Sequence, residues 1–152
     1  MNLHDPNCRT VLFLCTGNYY RSRFAEIWFN RLAAERNLPW RANSRGVGLD
    51  EWPDIPGPIS RNTINGLLER GIESDPNPRF PMQAVVSELE QADRIIALKE
   101  AEHRHRLADK YPDGWSERVT YWHVHDVDYA QPEQALAEIE SLVEDLLAEL
   151  AN

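Results

Sequence analysis

The hydrophobic positions of the chain fall into two recurring patterns, short unbroken runs and stripes at helical spacing. Residues 11–14 form a continuous apolar run bounded by polar residues, which is typical of a strand buried on both faces. A stripe at the spacing of one helix face follows between about residues 21 and 36, and its members are Phe24, Ile27, Trp28 and Leu32. The chain is therefore predicted to begin with a strand that leads directly into a helix.

The same alternation continues to the end of the chain. A weak strand over 42–49 is followed by a helix around 59–68, for which Ser60 is a candidate N-cap and Gly71 a stop signal. The remaining predicted elements are a short helix over 85–90, a strand over 94–98, a helix over 99–111, a strand over 119–124 and a long terminal helix from Pro132.

Strands that are joined through helices run parallel and are covered on both faces. We therefore expect one α/β domain over residues 1–152, with a four-stranded parallel sheet, helices on both faces and a flexible N-terminal tail of about eight residues. Ligands bind beyond the carboxyl ends of such strands, so catalytic or ligand-binding residues are expected in the loops after Leu14, Leu98 and Val124.

Composition limits the binding partners and the cellular location that can be expected for the protein. The 152 residues suit one domain, and a net charge of −9 argues against binding nucleic acid or an anionic membrane through bulk electrostatics. Two cysteines are too few for a disulfide scaffold, and no segment looks like a signal peptide or a membrane span. A cytoplasmic protein that captures any anion locally is expected.

The loop after the first predicted strand carries the most specific chemistry. Cys15 and Arg21 flank it where the strand passes into the helix, and Gly17 gives its backbone freedom to turn. Free N–H groups and the dipole at a helix N-terminus bind an oxyanion and favour a thiolate, and Ser22 can donate a hydroxyl to the sulfur. Spacing alone favours Cys15 as a small buried hydrophobe and Arg21 as an ordinary helix-start residue, whereas the strand, glycine turn and helix in register around them favour the catalytic interpretation.

The loop resembles that of the low-molecular-weight protein tyrosine phosphatase family, a fold that thioredoxin-type arsenate reductases share. The family motif is Val-Leu-Phe-x-Cys-x-Gly-Asn-x-Cys-Arg-Ser, followed by Ala-Glu in the helix, and residues 11–26 of this chain match it at most positions. The similarity continues through Ser44-Arg45-Gly46 and through residues 92–98, so that it covers essentially the whole chain.

The resemblance implies a mechanism and a set of residues. Cys15 would attack phosphorus to form a phosphocysteine, and Arg21 would bind the phosphoryl group without any metal or other cofactor. Phosphate-binding positions implied by the loop are Thr16, Gly17, Asn18, Tyr19, Tyr20 and Ser22. Asn18, Ser22 and Ser44 would in addition hold the loop in shape. The expected partners are a phosphorylated protein or a small aryl phosphate, with phosphate or another oxyanion in the site.

Family members carry their general acid in an Asp-Pro-Tyr segment before the last helix, where this chain has His125-Asp126-Val127-Asp128-Tyr129. One carboxyl there can protonate the leaving group and later deprotonate water. Asp126 aligns with the family acid and is favoured, while Asp128 competes because valine replaces the proline. Both carboxylates could instead be solvated caps of the terminal helix.

Aromatic residues are predicted on the loops around Cys15, and their rings could form a wall for a phenyl phosphate. They are Tyr19, Tyr20, Trp52 and Tyr129. Arg23, which stands where the family has proline, is expected to add positive potential at the rim. His123 and His125 alternate on a strand but have no further ligands at plausible spacing, so a metal site is not expected.

Two other functions remain open at this point. Tyr20 replaces the second loop cysteine of the family, Cys8 lies too far from Cys15 for a disulfide, and no cysteine follows Cys15. An arsenate reductase on this fold would therefore need an external thiol. A catalytically weak phosphate- or phosphoprotein-binding module is the second alternative.

Overall fold

The computed structural model describes residues 7–126 and 130–151, and within them the predicted α/β architecture is confirmed. Four strands form one parallel sheet in the order β2-β1-β3-β4. The strands are β1 (Arg9–Cys15), β2 (Trp40–Gly46), β3 (Arg94–Ala97) and β4 (Thr120–Tyr121). The helices are α1 (Arg21–Glu35), α2 (Arg61–Glu69), α3 (Val86–Gln91), α4 (Glu100–Lys110) and α5 (Pro132–Leu150).

Strand β1 lies inside the sheet and sends alternate side chains into two cores. Val11 and Phe13 join a core that contains the apolar faces of α1 and α5. Leu12 and Leu14 point to the opposite side and pack in a core that contains Leu89 of α3 and Leu107 of α4. Burial on both faces explains why β1 reads as an unbroken apolar run, and full burial of each large side chain contributes about 1.5–3 kcal/mol.

Two strand boundaries differ from the prediction. Strand β2 covers Trp40–Gly46 rather than 42–49, because it pairs with β1 along its full length, from Arg9 opposite Trp40 to Cys15 opposite Gly46. Strand β4 has two residues instead of the predicted six. The chain beyond it still follows β3, since the backbone N–H groups of Trp122 and Val124 donate to carbonyls of residues 97 and 98 at 2.8 Å.

Helix ends agree with the local signals in the sequence. Ser60 caps α2, because its Oγ accepts a hydrogen bond from the backbone N–H of Asn62 at 3.2 Å. Gly71 lies just beyond the end of α2 with a φ of 79°, a conformation that favours glycine. Within the described ranges, no helix has both the length and the apolar character needed to cross a membrane.

The parallel sheet brings the carboxyl ends of β1, β3 and β4 to one edge. The loop after β1, the start of α4 and the segment that ends at Asp126 therefore lie together at this edge.

Candidate active site

The loop between β1 and α1 curls around the sulfur of Cys15, which is buried at 3% exposure. The backbone N–H of Asn18 points at Sγ from 3.3 Å, and the Ser22 Oγ lies 2.9 Å from it. Asn18 adopts a φ of 51°, in the left-handed region that asparagine tolerates better than most residues. This turn of the backbone directs hydrogen-bond donors towards the sulfur.

The side chain of Asn18 holds the loop from behind. Its Nδ2 donates to the Oγ atoms of Ser22 and Ser44 at 2.9 and 3.0 Å. Its Oδ1 accepts from Arg79 Nη1 at 2.9 Å and from the backbone N–H of Met82 at 3.1 Å. All four hydrogen-bonding positions of the amide are thus used, which fixes the orientation of the side chain.

Glu26 and Arg79 complete a rear network, which we define as Asn18, Ser22, Glu26, Ser44 and Arg79. Ser44 Oγ and Arg79 Nη2 lie 2.6 and 3.2 Å from the same Glu26 oxygen. Arg79 also donates to the backbone oxygen of Ser44 at 2.9 Å. The network ties α1, β2 and the loop after α2 to the loop that carries Cys15.

Arg23 lies behind the loop and not at the rim, so the rim expectation is wrong. The residue is 4% exposed, and its guanidinium donates to the carbonyl oxygens of Pro58 and Arg79 at 2.8 and 3.0 Å. Burial, with the nearby positive charge of Arg79, lowers the pKa of Arg23 to about 10. These two hydrogen bonds hold the side chain inward, where it crosslinks two loops.

Arg21 faces the opposite side of the loop and is 2% exposed. Its Nη1 donates to the backbone oxygen of Val124 at 3.0 Å. Its Nη2 lies 2.9 Å from Glu102 Oε2 and 3.5 Å from Asp126 Oδ2. Burial alone would lower the pKa of Arg21, but the nearby Cys15, Glu102 and Asp126 outweigh it and raise that pKa, so the guanidinium stays charged.

Glu102 is a site residue that the sequence analysis missed. It lies in the first turn of α4, with a side chain 23% exposed, and its Oε1 accepts a hydrogen bond from the Thr16 hydroxyl at 2.9 Å. Burial opposes its ionisation, but Arg21 and the Thr16 hydroxyl outweigh that effect and lower the pKa of Glu102. The available signal was its place in the helix turn that directly follows the third strand and its loop, one of the three loops expected to hold site residues.

Aromatic side chains form one wall of the pocket. Tyr19 and Trp52 meet edge to face with ring centroids 5.4 Å apart. Trp52 lies so close to Gly17 that a Cβ atom there would stand 2.7 Å from the indole ring, so any larger residue at this position would displace the ring. Tyr20 is 7% exposed, and its burial, with the charge of Asp126, raises its pKa to about 12.

The outer edge of this wall is fixed to α4 by ion pairs. Glu51 precedes Trp52 and accepts from Arg106 at 2.8 and 2.9 Å and from Lys110 at 2.7 Å. These hydrogen bonds lower the pKa of Glu51 to about 2. We call Glu51, Arg106 and Lys110 the rim clasp.

A cavity of about 540 Å³ gathers most of the predicted site residues at one place. Its lining includes Cys15, Thr16, Gly17, Tyr19, Tyr20, Arg21, Trp52 and Asp126, together with Glu51, Ser60, Asn62, Glu102 and Arg106, which were not predicted. Asn18, Ser22 and Ser44 lie behind the sulfur instead. Asp128 and Tyr129 fall outside the described residues, and in the rest of the chain no three His, Cys, Asp or Glu side chains form a group that could hold a metal ion.

Comparison with known proteins places this geometry in context. A family model described as low molecular weight phosphotyrosine protein phosphatase matches residues 10–152. The chain is 34% identical over 89 residues to the low molecular weight protein-tyrosine-phosphatase YfkJ of Bacillus subtilis. That match covers 59% of this chain and 55% of the curated relative.

Solved structures share the fold over nearly the whole chain. The crystal structure of Bacillus subtilis YfkJ has a TM-score of 0.80 at 29% identity, covering 95% of each chain. A low molecular weight protein tyrosine phosphatase from T. tengcongensis has a TM-score of 0.76 at 25% identity, covering 93% of this chain and 99% of its own.

Proposed function

The chain belongs to the low molecular weight phosphotyrosine protein phosphatase family, and we propose that it hydrolyses phosphate monoesters through a phosphocysteine on Cys15. The main support is the position of the Cys15 sulfur, which lies between a loop N–H and the Ser22 hydroxyl beside a cavity that Arg21 also lines. A cysteine that served only to fill the core would not need these donors or the buried guanidinium next to it.

The first step transfers the phosphoryl group to sulfur. The Cys15 thiolate attacks phosphorus, an S–P bond forms, and the bond between phosphorus and the leaving oxygen breaks. Arg21 and the loop N–H groups balance the charge on the non-bridging oxygens. The Ser22 hydroxyl stabilises the thiolate before attack and after its release.

Asp126 is the proposed general acid and base. It lines the cavity within 3.5 Å of Arg21, and its side chain is 39% exposed. As an acid it would give its proton to the leaving oxygen. It would then take a proton from the water that attacks the phosphocysteine, which releases inorganic phosphate and the thiolate.

Aryl phosphates, and phosphotyrosine in proteins above all, are the proposed substrate class. The Tyr19 and Trp52 rings line a cavity whose size suits one aromatic group and its phosphate. The structure of Vibrio vulnificus Wzb, a neighbour of the same fold at 16% identity with a TM-score of 0.75, was determined in complex with benzylphosphonate.

Hydrolysis of para-nitrophenyl phosphate and of a phosphotyrosine peptide tests the proposal. The wild-type protein and Cys8→Ala should release phosphate, Cys15→Ala should release none, and Asp126→Ala should be slow. Absence of vanadate-sensitive hydrolysis by the wild type would overturn the phosphatase assignment. Retention of phosphopeptide without turnover would then indicate a binding module, and arsenite production with an added thiol would indicate an arsenate reductase.

A further inference from the structure

A fully buried histidine lies against the Cys15 loop and is hydrogen-bonded to Thr16, the residue that follows the proposed nucleophile. His103, in the first turn of α4, is 0% exposed. Its Nδ1 lies 3.1 Å from the backbone nitrogen of Lys99, which can only donate. Nδ1 is therefore an acceptor. Burial, together with the positive charge of Arg21, lowers the pKa of this ring to about 3, so that it is neutral with its proton on Nε2.

This tautomer sets the direction of the next two hydrogen bonds. The His103 Nε2–H donates to Thr16 Oγ1 at 3.1 Å. The Thr16 hydroxyl, with one lone pair occupied, donates its own hydrogen to Glu102 Oε1 at 2.9 Å. The Glu102 carboxylate is thus held in place by the residue next to the nucleophile. The same Oε1 accepts a hydrogen bond from Arg21 Nη2 at 3.2 Å, and Oε2 lies 2.9 Å from that nitrogen.

The guanidinium of Arg21 keeps free donors in this arrangement. Its hydrogen bonds to Val124 O and to Glu102 Oε1 use one hydrogen on each terminal nitrogen. The Nε–H and one hydrogen on each terminal nitrogen remain of the five. Glu102 therefore anchors one edge of the guanidinium while leaving donors for the two-point contact that arginine makes with a phosphoryl group.

Asp126 cannot replace Glu102 in this role. It approaches the same Nη2 from 3.5 Å, beyond ordinary hydrogen-bond length, and it extends from a loop segment with a more exposed side chain. Glu102 by contrast projects from a helix at 2.9 Å.

We propose that Glu102 is the positioning residue for Arg21 and that Thr16 and His103 hold Glu102 in the required orientation, which extends the phosphatase function proposed above. Removing the carboxylate should leave a buried guanidinium free to turn away from the phosphate site. Phosphate affinity should then fall. If Glu102 instead only competes with substrate for Arg21, phosphate should bind more tightly once the negative charge is removed.

Two measurements that need no turnover separate these cases. The first is the affinity of the protein for inorganic phosphate, by calorimetry. The second is the rate at which Cys15 is alkylated by anionic iodoacetate relative to neutral iodoacetamide, in a Cys8→Ser background in which Cys15 is the only thiol. Each reagent forms an S–C bond and releases iodide, but only iodoacetate is guided by Arg21.

Glu102→Gln should bind phosphate about tenfold or more weakly and should lose most of the preference for iodoacetate, since small misplacements of a binding group cost about this much or more. The matched control is Glu100→Gln, which removes an acid from the same turn of α4 whose partner is the exposed Arg104. This control should behave as the wild type. Thermal unfolding verifies that both variants are folded.

Thr16 provides a second, milder variant pair. Thr16→Val keeps the shape of the side chain but breaks the hydrogen bonds to His103 and Glu102, and should lower phosphate affinity about threefold. Thr16→Ser retains the hydroxyl and should restore the wild-type affinity and the preference for iodoacetate. A purely steric role for Thr16 would give the opposite order.

Unchanged or tighter phosphate binding by Glu102→Gln, or an unchanged preference for iodoacetate, would overturn the positioning role. Hydrolysis assays on the same samples report the proposed function separately. A wild type that binds phosphate and prefers iodoacetate but hydrolyses nothing would overturn only the phosphatase function. A wild type with neither property would overturn both.

Discussion

Asn18 and Arg21 belong to the same loop, yet their side chains lie in two different polar environments. Behind the sulfur, every donor and acceptor of the Asn18 amide has a protein partner. In front of it, one nitrogen of Arg21 faces the carboxylates of Glu102 and Asp126 beside an open cavity. The rear network is therefore suited to hold the loop in a fixed shape. The groups on the cavity side of the sulfur, which we call the front, can exchange partners when an anion enters the cavity.

The largest effect on activity is expected at Asp126, on the cavity side of the sulfur. Asp126→Asn should lower kcat about 10²- to 10⁴-fold for phenyl phosphate, because the leaving oxygen then departs without a proton. The loss should be much smaller for para-nitrophenyl phosphate, whose leaving group needs little help. Steady-state kinetics with the two esters measure the difference.

Asp128→Asn is the matched control, since Asp128 is the rival acid in the same segment. It should retain activity on both esters. An equal loss of kcat for the two esters in Asp126→Asn, or a larger loss in Asp128→Asn than in Asp126→Asn, would show that Asp126 is not the general acid.

In the rear network, Arg79→Met should act on stability. The change removes the bonds to Asn18 Oδ1, Glu26 and Ser44, and we expect a loss of about 1–3 kcal/mol in the free energy of unfolding. Urea denaturation measures it. Arg31→Met removes an exposed arginine paired with Glu35 and should cost less than about 0.5 kcal/mol. Similar losses in the two variants would show that the network does not stabilise the loop.

His103 lies on the Arg21 side of the loop, where it contacts Thr16, and its burial predicts a pH dependence of stability. The unfolded chain binds a proton on this ring below about pH 6.5, but the folded protein does so only near pH 3. The contribution to stability is therefore complete above about pH 6.5 and is lost as the pH falls towards 3.

Between pH 6 and 4, the free energy of unfolding of the wild type should fall about 1.4 kcal/mol per pH unit more steeply than that of His103→Gln. Denaturation at several pH values measures the two slopes. His105→Gln, which replaces an exposed histidine of the same helix, should keep the wild-type slope. Identical slopes for all three proteins would contradict a neutral buried ring.

The smallest effect on stability is expected at the rim clasp, where the Glu51 carboxylate is exposed and its ion pairs are screened by solvent. A double-mutant cycle of Glu51→Gln and Arg106→Gln should give a coupling of less than about 1 kcal/mol in stability. The KM of the two single variants for para-nitrophenyl phosphate should rise modestly. In the wild type, the KM should rise with salt concentration, because salt screens the ion pairs that hold the segment with Trp52. A KM that does not change with salt would show that the rim clasp does not hold the pocket wall in place.

The sequence predicts the fold and the core of the site because those features are local. The apolar run of β1, the turn after Cys15 and the stripe of α1 follow one another directly, so the position of Cys15 and Arg21 can be read from consecutive residues. The N-cap at Ser60 is likewise a local signal that the structure confirms.

The features that were missed depend on contacts between distant parts of the chain. Glu102 meets Arg21 across 81 residues, and Arg79 meets Asn18 across 61. A glutamate at the start of a helix resembles any other acid that favours a helix N-terminus. The inward direction of Arg23 depends on carbonyls at residues 58 and 79, which its neighbours in sequence do not indicate.

The central claim is that Cys15 carries the phosphoryl group during turnover. Asp126→Asn, mixed rapidly with para-nitrophenyl phosphate, whose leaving group needs little protonation, then quenched and analysed by mass spectrometry, should contain one phosphoryl group on the peptide that includes Cys15. Cys15→Ala should contain none and should not turn over. Hydrolysis that continues in Cys15→Ala, with no phosphorylated Cys15 in any quenched sample, would contradict the mechanism.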